Sequence, residues 1–160
     1  MYWTRCLGDI MGAQMDGSDA VQIVKRLSCP AGITIDHGTS RLFWTEMAGD
    51  MIRSSNLDGT DVRTIVHLPP GTEPWGIALH NEHMYWGSWN ASSVQRRSKS
   101  GHTGIQTVFN RTRPVQQLTT TSCNYPISRT NNCNEKKCSH ICVLTTNSFR
   151  CILQKSWIFK

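Results

Sequence analysis

Arg41-Leu42-Phe43-Trp44-Thr45, followed by the turn triplet Leu57-Asp58-Gly59, decides the fold because both pieces recur at one spacing. Tyr2-Trp3-Thr4 and Tyr85-Trp86-Gly87 place equivalent tryptophans 41 residues before and 42 residues after Trp44. The glycines of Met15-Asp16-Gly17, Leu57-Asp58-Gly59 and Lys99-Ser100-Gly101 are 42 residues apart both times. A third landmark, Pro30-Ala31-Gly32-Ile33-Thr34-Ile35-Asp36, returns 44 residues later as Pro74-Trp75-Gly76-Ile77-Ala78-Leu79-His80. Three independent landmarks sharing a period near 42 are the mark of a repeat architecture.

Periodicity inside the unit chooses the kind of repeat. Short β-prone runs such as Arg41–Thr45 and Arg63-Thr64-Ile65-Val66-His67 are punctuated by glycine turns, and no run carries the 3.6-residue stripe of an amphipathic helix. Each unit therefore reads as four strands, placed in the middle unit at Gly32–Asp36, Leu42–Thr45, Met51–Asn56 and Val62–His67. The Asp58-Gly59 pair is expected to supply the positive torsions of the last hairpin. A four-stranded unit of this length is a propeller blade. One large aromatic per blade (Trp3, Trp44, Trp86, with Trp75 on the proline strand) then fills the wedge between blades, whereas Trp89 has no counterpart and is placed in a surface loop.

The chain has 160 residues and a net charge of +6, with hydrophobic residues at 38% and charged residues at 18%, a balance that excludes general disorder. No run approaches the roughly 20 apolar residues that span a bilayer, and the start lacks a basic-then-apolar leader. Seven cysteines, four of them at Cys133, Cys138, Cys142 and Cys151, point instead to an oxidising compartment. The acceptor triplets Asn90-Ala91-Ser92 and Asn110-Arg111-Thr112 fit the same compartment through glycosylation at Asn90 and Asn110. The combination predicts a fragment of a secreted or ectodomain chain.

Cys6 follows the second strand of the first unit and Cys29 lies between its fourth strand and the next unit, so both connections emerge on one side and a Cys6–Cys29 disulfide is expected. Cys123 is then the odd thiol. The four clustered cysteines admit three connectivities on sequence alone.

The aromatic motif, the Leu-Asp-Gly turn and the Pro-x-Gly-Ile strand resemble the Tyr-Trp-Thr-Asp (YWTD) repeats of low-density lipoprotein receptor class B. Such repeats build six-bladed propellers in lipoprotein-receptor-related proteins, nidogens and Wnt co-receptors. The resemblance covers Tyr2 to about Phe109. It implies an all-β fold with about half of a six-bladed ring, the missing blades being supplied by the parent chain, and Val115-Gln116-Gln117-Leu118 as a last inner strand. An open half ring exposes apolar faces and strand edges, which favours association. The family's aspartate position holds Arg5, Glu46 and Ser88 here.

From Asn132 the sequence resembles the first two thirds of an epidermal-growth-factor-like module, through Cys138-Ser139-His140-Ile141-Cys142. That resemblance implies pairs Cys133–Cys142 and Cys138–Cys151, in a truncated module because Leu153 stands where a fifth cysteine belongs. The organisation expected is a partial propeller over 1–122, a linker over 123–131, the truncated module over 132–153 and a tail over 154–160.

No metal site is expected, since the cysteine spacing lacks the paired Cys-x-x-Cys of zinc sites and Arg129-Thr130-Asn131-Asn132 lacks the acidic residues of calcium-binding modules. No catalytic residue or cofactor is expected either: the sequence has no Gly-x-Ser-x-Gly elbow, His-Glu-x-x-His helix or phosphate-cradling loop. Arg96-Arg97 and Lys136-Lys137 are read as solvated loop charge, and no aromatics interleave them as a nucleic-acid surface requires.

The resemblance thus implies recognition of protein ligands, or of a receptor's own acidic ligand-binding repeats, with release of cargo at endosomal pH. The alternative is a nidogen-like or Wnt co-receptor-like scaffold, and a lactonase-like enzyme is the third class. Histidines at 37, 67, 80, 83, 102 and 140 supply proton-sensitive charge, and His80 with His83 flank one turn and project from one face, which makes them the best candidates for a pH response.

Overall fold

A computed structural model describes residues 1–90, 92–110, 115, 118, 141–144 and 149–152, the last two ranges as backbone. The chain divides into two units, Tyr2–Met11 with Gln22–Thr121, and Met1, Gly12–Val21 with Ser122–Lys160. In the second of these, β12 (Ile141–Leu144) and β13 (Phe149–Ile152) form an antiparallel pair in which Cys142 stands opposite Cys151.

Every other sheet follows the repeat. Blade one consists of β1 (Tyr2–Arg5), β2 (Asp9–Gly12) and β3 (Val21–Val24) in sequential order. Blade two holds β4 (Pro30–Asp36), β5 (Arg41–Glu46), β6 (Met51–Asn56) and β7 (Arg63–His67), and blade three holds β8 (Pro74–His80), β9 (His83–Ser88), β10 (Ser93–Ser98) and β11 (Gln106–Asn110). All neighbours in these two sheets are antiparallel. The described residues are thus an all-β partial propeller. The first strand of blade two begins two residues earlier than expected, because a bulge between Pro30 and Ile33 carries the pairing back to Pro30; Pro74 and Ile77 repeat it.

In β5 every residue from Leu42 to Glu46 is buried, and it is the face each side chain joins that alternates with the period of a strand. Leu42 and Trp44 of β5 pack with Ile10, Val24 and Leu27 of blade one, and Phe43, between them, packs with Ile77, Met84 and Trp86 of blade three. One strand therefore serves two cores, each filling the wedge between adjacent blades. Trp44 and Trp86 have no exposed surface. Trp3 is only half-buried, as it faces away from the blade one–blade two wedge. Trp75 departs from the expected core role: it is half-buried, and its ring lies tilted against exposed Trp89 at 5.2 Å between centroids.

The hairpin turns correct a second expectation. Among the turn residues, Gly17, Gly59 and Gly101 have positive φ (85°, 85° and 75°), whereas Asp58 does not. Asp58 instead caps the turn, its Oδ1 accepting from the Thr60 N–H at 2.9 Å and the Thr60 hydroxyl at 2.6 Å. A Cβ on Gly59 would lie 2.3 Å from the Ile23 carbonyl oxygen, and one on Gly101 would lie 3.0 Å from that of Ile65. The glycine period therefore meets two demands, turn torsion and approach to the outer strand of the preceding blade.

Candidate functional site

The motif residues sit on β1, β5 and β9 and tie each blade to the next. The Thr4 hydroxyl donates to the Ala31 carbonyl at 2.5 Å and the Thr45 hydroxyl to the Trp75 carbonyl at 2.6 Å. Gly87 occupies the third such position, and the Val115 carbonyl oxygen lies 2.3 Å from where its Cβ would be. Ala31, Trp75 and Val115 each follow a proline, at 30, 74 and 114. The same inner-strand carbonyl thus meets each motif. Leu118 lines a cleft of about 430 Å³ with Ala31, Ile33, Trp75 and Ile77 of the inner strands.

The fourth motif position differs in every blade. In blade two, Glu46 is 1% exposed and its carboxylate accepts from the Trp44 indole N–H (3.1 Å), the Arg53 guanidinium (3.1 Å) and the Ser28 backbone N–H (2.7 Å). Blade one reverses the charges: Arg5 at the end of β1 donates through Nε at 2.7 Å to buried Asp9, which also accepts from Gln22 at 2.6 Å. The Arg5 hydrogen bond, against burial and with help from Gln22, holds the Asp9 carboxyl below its ordinary range. Ser88 of blade three is fully buried, and its hydroxyl has no hydrogen-bond partner among the described residues.

Between blades two and three, on the side carrying the first-to-second and third-to-fourth strand turns, lies a cleft of about 500 Å³. Phe43 and Ile65 form its apolar lining, and Asp36, Arg41, Arg63, Glu82 and Lys99 its polar one. Lys99 reaches across from blade three to Asp36 of blade two at 2.7 Å. Burial pushes the Asp36 carboxyl up, but donation from Lys99 and Thr39, the Lys99 charge and the Gly38 N–H together bring it below the ordinary value. Arg41 donates to Asp61 (2.8 Å), Asn56 (3.0 Å) and Ser54 (3.1 Å), and Arg63 donates to the same Asp61 at 2.9 Å. Arg63 first, then Arg41, hold the Asp61 carboxyl low. Local patterning does not reveal the Asp36–Lys99 pair, whose members are 63 residues apart. The signal was available only by superposing the repeats, which places both residues at strand ends of neighbouring blades.

His80 and His83 are direct cross-strand partners on β8 and β9, so their side chains leave the same sheet face beside Glu82. His80 is exposed and His83 half-buried, with its ring 6.3 Å from that of Tyr85. On the opposite side of the blades, Cys6 and Cys29 form a disulfide. Asn90 and Asn110 are exposed. Cys123, Cys133, Cys138 and His140 lie outside the described residues. Among the described residues no group of three or more His, Cys, Asp or Glu is arranged to hold a metal ion.

Comparison with known proteins extends this picture. No protein-family model matches the sequence. The chain is 30% identical over 151 residues to the vitellogenin receptor of Solenopsis invicta, an alignment covering 92% of this chain and 8% of that protein. It is 33% identical over 91 residues to low-density lipoprotein receptor-related protein 5 of Mus musculus and Homo sapiens, covering 57% of this chain and 6% of each. The chain therefore spans less than a tenth of these curated relatives. Among solved structures, the nidogen/laminin complex contains a chain that matches with a TM-score of 0.62 and 27% identity, over 69% of this chain and 44% of that one. Virginiamycin B lyase of Staphylococcus aureus shares the fold alone, at 19% identity, a TM-score of 0.56, and coverage of 66% and 36%.

Proposed function

We propose that this chain is a ligand-binding propeller segment of an extracellular receptor of the lipoprotein-receptor-related type, acting by recognition and not by turnover. The observation that carries the reading is the interblade geometry, in which Thr4 and Thr45 of the YWTD-like motif each bond the inner strand of the next blade. It is joined by similarity to the vitellogenin receptor along 92% of the chain. The proposed partners are protein ligands, including acidic ligand-binding repeats of the same receptor, drawn by a net charge of +6. The domain organisation offered in the sequence analysis, with a growth-factor-like module held by Cys133–Cys142 and Cys138–Cys151, belongs to this proposal. So do glycosylation at Asn90 and Asn110 and membrane anchoring of the parent protein.

The proposed pH element is the pair His80 and His83. Both side chains leave one sheet face as a direct cross-strand pair, so any positive charge they take up is presented together to an acidic partner. Binding of an acidic ligand-binding repeat, measured on a sensor surface at pH 7.4 and 5.5, tests both levels. Tighter binding at pH 5.5 that is lost in the double variant His80→Gln, His83→Gln supports the switch. Equal binding at both values removes the switch, and no binding at either value removes the acidic-repeat partner.

A scaffold reading has one specific observation in its favour, the 27% identity and 0.62 TM-score to a chain of the nidogen/laminin complex. Binding to a matrix protein in place of receptor repeats would favour it.

A further inference from the structure

We propose that the first N-acetylglucosamine of a glycan on Asn90 packs against the Trp89 and Trp75 rings, so that the sugar is a structural cover of blade three and not a loose appendage. The inference rests on the extracellular, glycosylated reading given above and goes beyond it by assigning the sugar a place and a task.

Superposing the blades shows where blade three departs from its neighbours. Pro30 pairs with Glu46 and Pro74 with Ser88, so Trp75 stands where blade two has Ala31, Trp89 where it has Met47, and Asn90 where it has Ala48. Blade one has Cys6 and Leu7 at the last two positions. The backbone supports the equivalence: the Met47 N–H donates to the Cys29 carbonyl at 3.0 Å, and the Trp89 N–H to the Glu73 carbonyl at 2.9 Å. Two tryptophans and a glycosylation acceptor, all three departures from the repeat, thus fall at one place. The two rings meet with their centroids 5.2 Å apart and their planes tilted by 42°.

The pair shields itself only in part, since Trp89 is 42% exposed and Trp75 half-buried. Apolar ring surface left in water favours a cover in proportion to its area. The Asn90-Ala91-Ser92 acceptor begins at the residue after Trp89. Asn90 is exposed, and its Nδ2 lies 3.5 Å from the Gly71 carbonyl oxygen. Glycosylation replaces one of the two amide hydrogens and leaves the other for Gly71, so the sugar starts over the segment that leads through Pro74 into Trp75. That segment is itself held in place, because the Asp50 carboxylate of blade two accepts from the Gly71 N–H and the Glu73 N–H at 2.7 Å each. A short tether on a fixed support lowers the ordering cost of the contact. The chemistry also matches: a pyranose ring presents a face of weakly positive C–H groups, and the face of an indole is negative. The rings, the acceptor and the segment beneath it all belong to blades two and three, so the inference needs nothing from what precedes or follows the described blades.

The test uses the full chain secreted from a eukaryotic cell and mapped for glycopeptides. In an Asn110→Gln background, which leaves Asn90 as the one acceptor triplet, the glycan is trimmed enzymatically to a single isotope-labelled N-acetylglucosamine and followed by nuclear magnetic resonance. The expected result is sugar C–H resonances displaced upfield by the ring currents, and return of those resonances to their positions in the isolated glycopeptide when Trp89→Ala is added. Ser92→Ala, which removes the sugar and keeps both rings, should raise the quenching of tryptophan fluorescence by acrylamide. Sugar resonances that coincide with those of the isolated glycopeptide overturn the proposal, a comparison that stands even if Trp89→Ala fails to fold. Asn90 left bare while Asn110 is modified overturns it too, and in both cases the extracellular reading survives. A secreted chain bare at both acceptors overturns the proposal together with the glycosylated reading beneath it.

Discussion

Blade two and blade three run the same four antiparallel strands with the same bulge after their first proline, yet they differ at almost every polar landmark. Thr45 bonds the next inner strand and Gly87 has no side chain to do so; Glu46 gathers three donors and Ser88 has none; Asp58 caps its turn where Ser100 bonds only the Ser98 hydroxyl at 3.1 Å. What the two keep in common is the buried tryptophan and the turn glycine. Even the indole N–H is satisfied by different means, from Glu46 in blade two and from Gln95 at 3.1 Å in blade three. Apolar filling of the wedge and glycine turns therefore specify a blade. The polar contacts vary from blade to blade, and among the described residues the buried Ser88 hydroxyl does without one.

The largest test of that comparison removes the filler. Trp44→Ala should cost about 3–5 kcal/mol of unfolding free energy, since the ring is fully enclosed between blades, and Trp86→Ala should cost a similar amount. Trp89→Ala, at a side chain 42% exposed, should cost far less. Equal shifts of the urea midpoint for Trp44→Ala and Trp89→Ala would refute the wedge assignment.

A smaller effect should separate the blades from each other. Glu46→Ala strands the Arg53 charge, the Trp44 N–H and the Ser28 N–H together, at a cost of about 3 kcal/mol. Ser88→Ala at the equivalent position removes a buried hydroxyl with no partner among the described residues, and should leave stability unchanged or raise it by up to about 1 kcal/mol. If Ser88→Ala destabilises as much as Glu46→Ala, blade three has a polar contact that the comparison denies it.

The smallest effect joins the two blades. Asp36 has its folded pKa below the ordinary carboxylate value despite burial, because Lys99 and its neighbours outweigh desolvation. A depressed carboxylate contributes stability that is fully present above the unfolded pKa, about 3.9, and is lost as pH falls through the lower folded value. In Lys99→Met, burial becomes the larger influence, so the acid loss below about pH 4 should weaken or reverse. Urea midpoints followed from pH 6 downward on both proteins measure it, and identical slopes would show that Lys99 does not set the Asp36 charge.

How much of this was legible before the structure depends on the range of each interaction. The strand Met51–Asn56 agrees at both ends with the reading from sequence, and the other three strands of that blade differ by a residue or two, because β alternation and turn glycines are local signals. The role of Asp58 was misread because an Asp-Gly pair suits both a positive-φ turn and a side-chain cap, and composition does not tell them apart. Trp75 was placed in the core by counting one aromatic per repeat, whereas its partner, Trp89, has no equivalent in the other blades. The Asp36–Lys99 bridge and the charge reversal at Arg5–Asp9 depend on which side chains two strands bring together, information that no single strand contains.

Gly87 is held to glycine by its neighbour and not by its own torsion. At the equivalent positions a threonine hydroxyl spans the gap between blades, but here the Val115 carbonyl oxygen occupies the space a side chain would fill, 2.3 Å from where a Cβ would stand. Threonine at 87 would collide with that carbonyl before it could bond to it, so the motif's third residue is set in this blade by the room the next segment leaves.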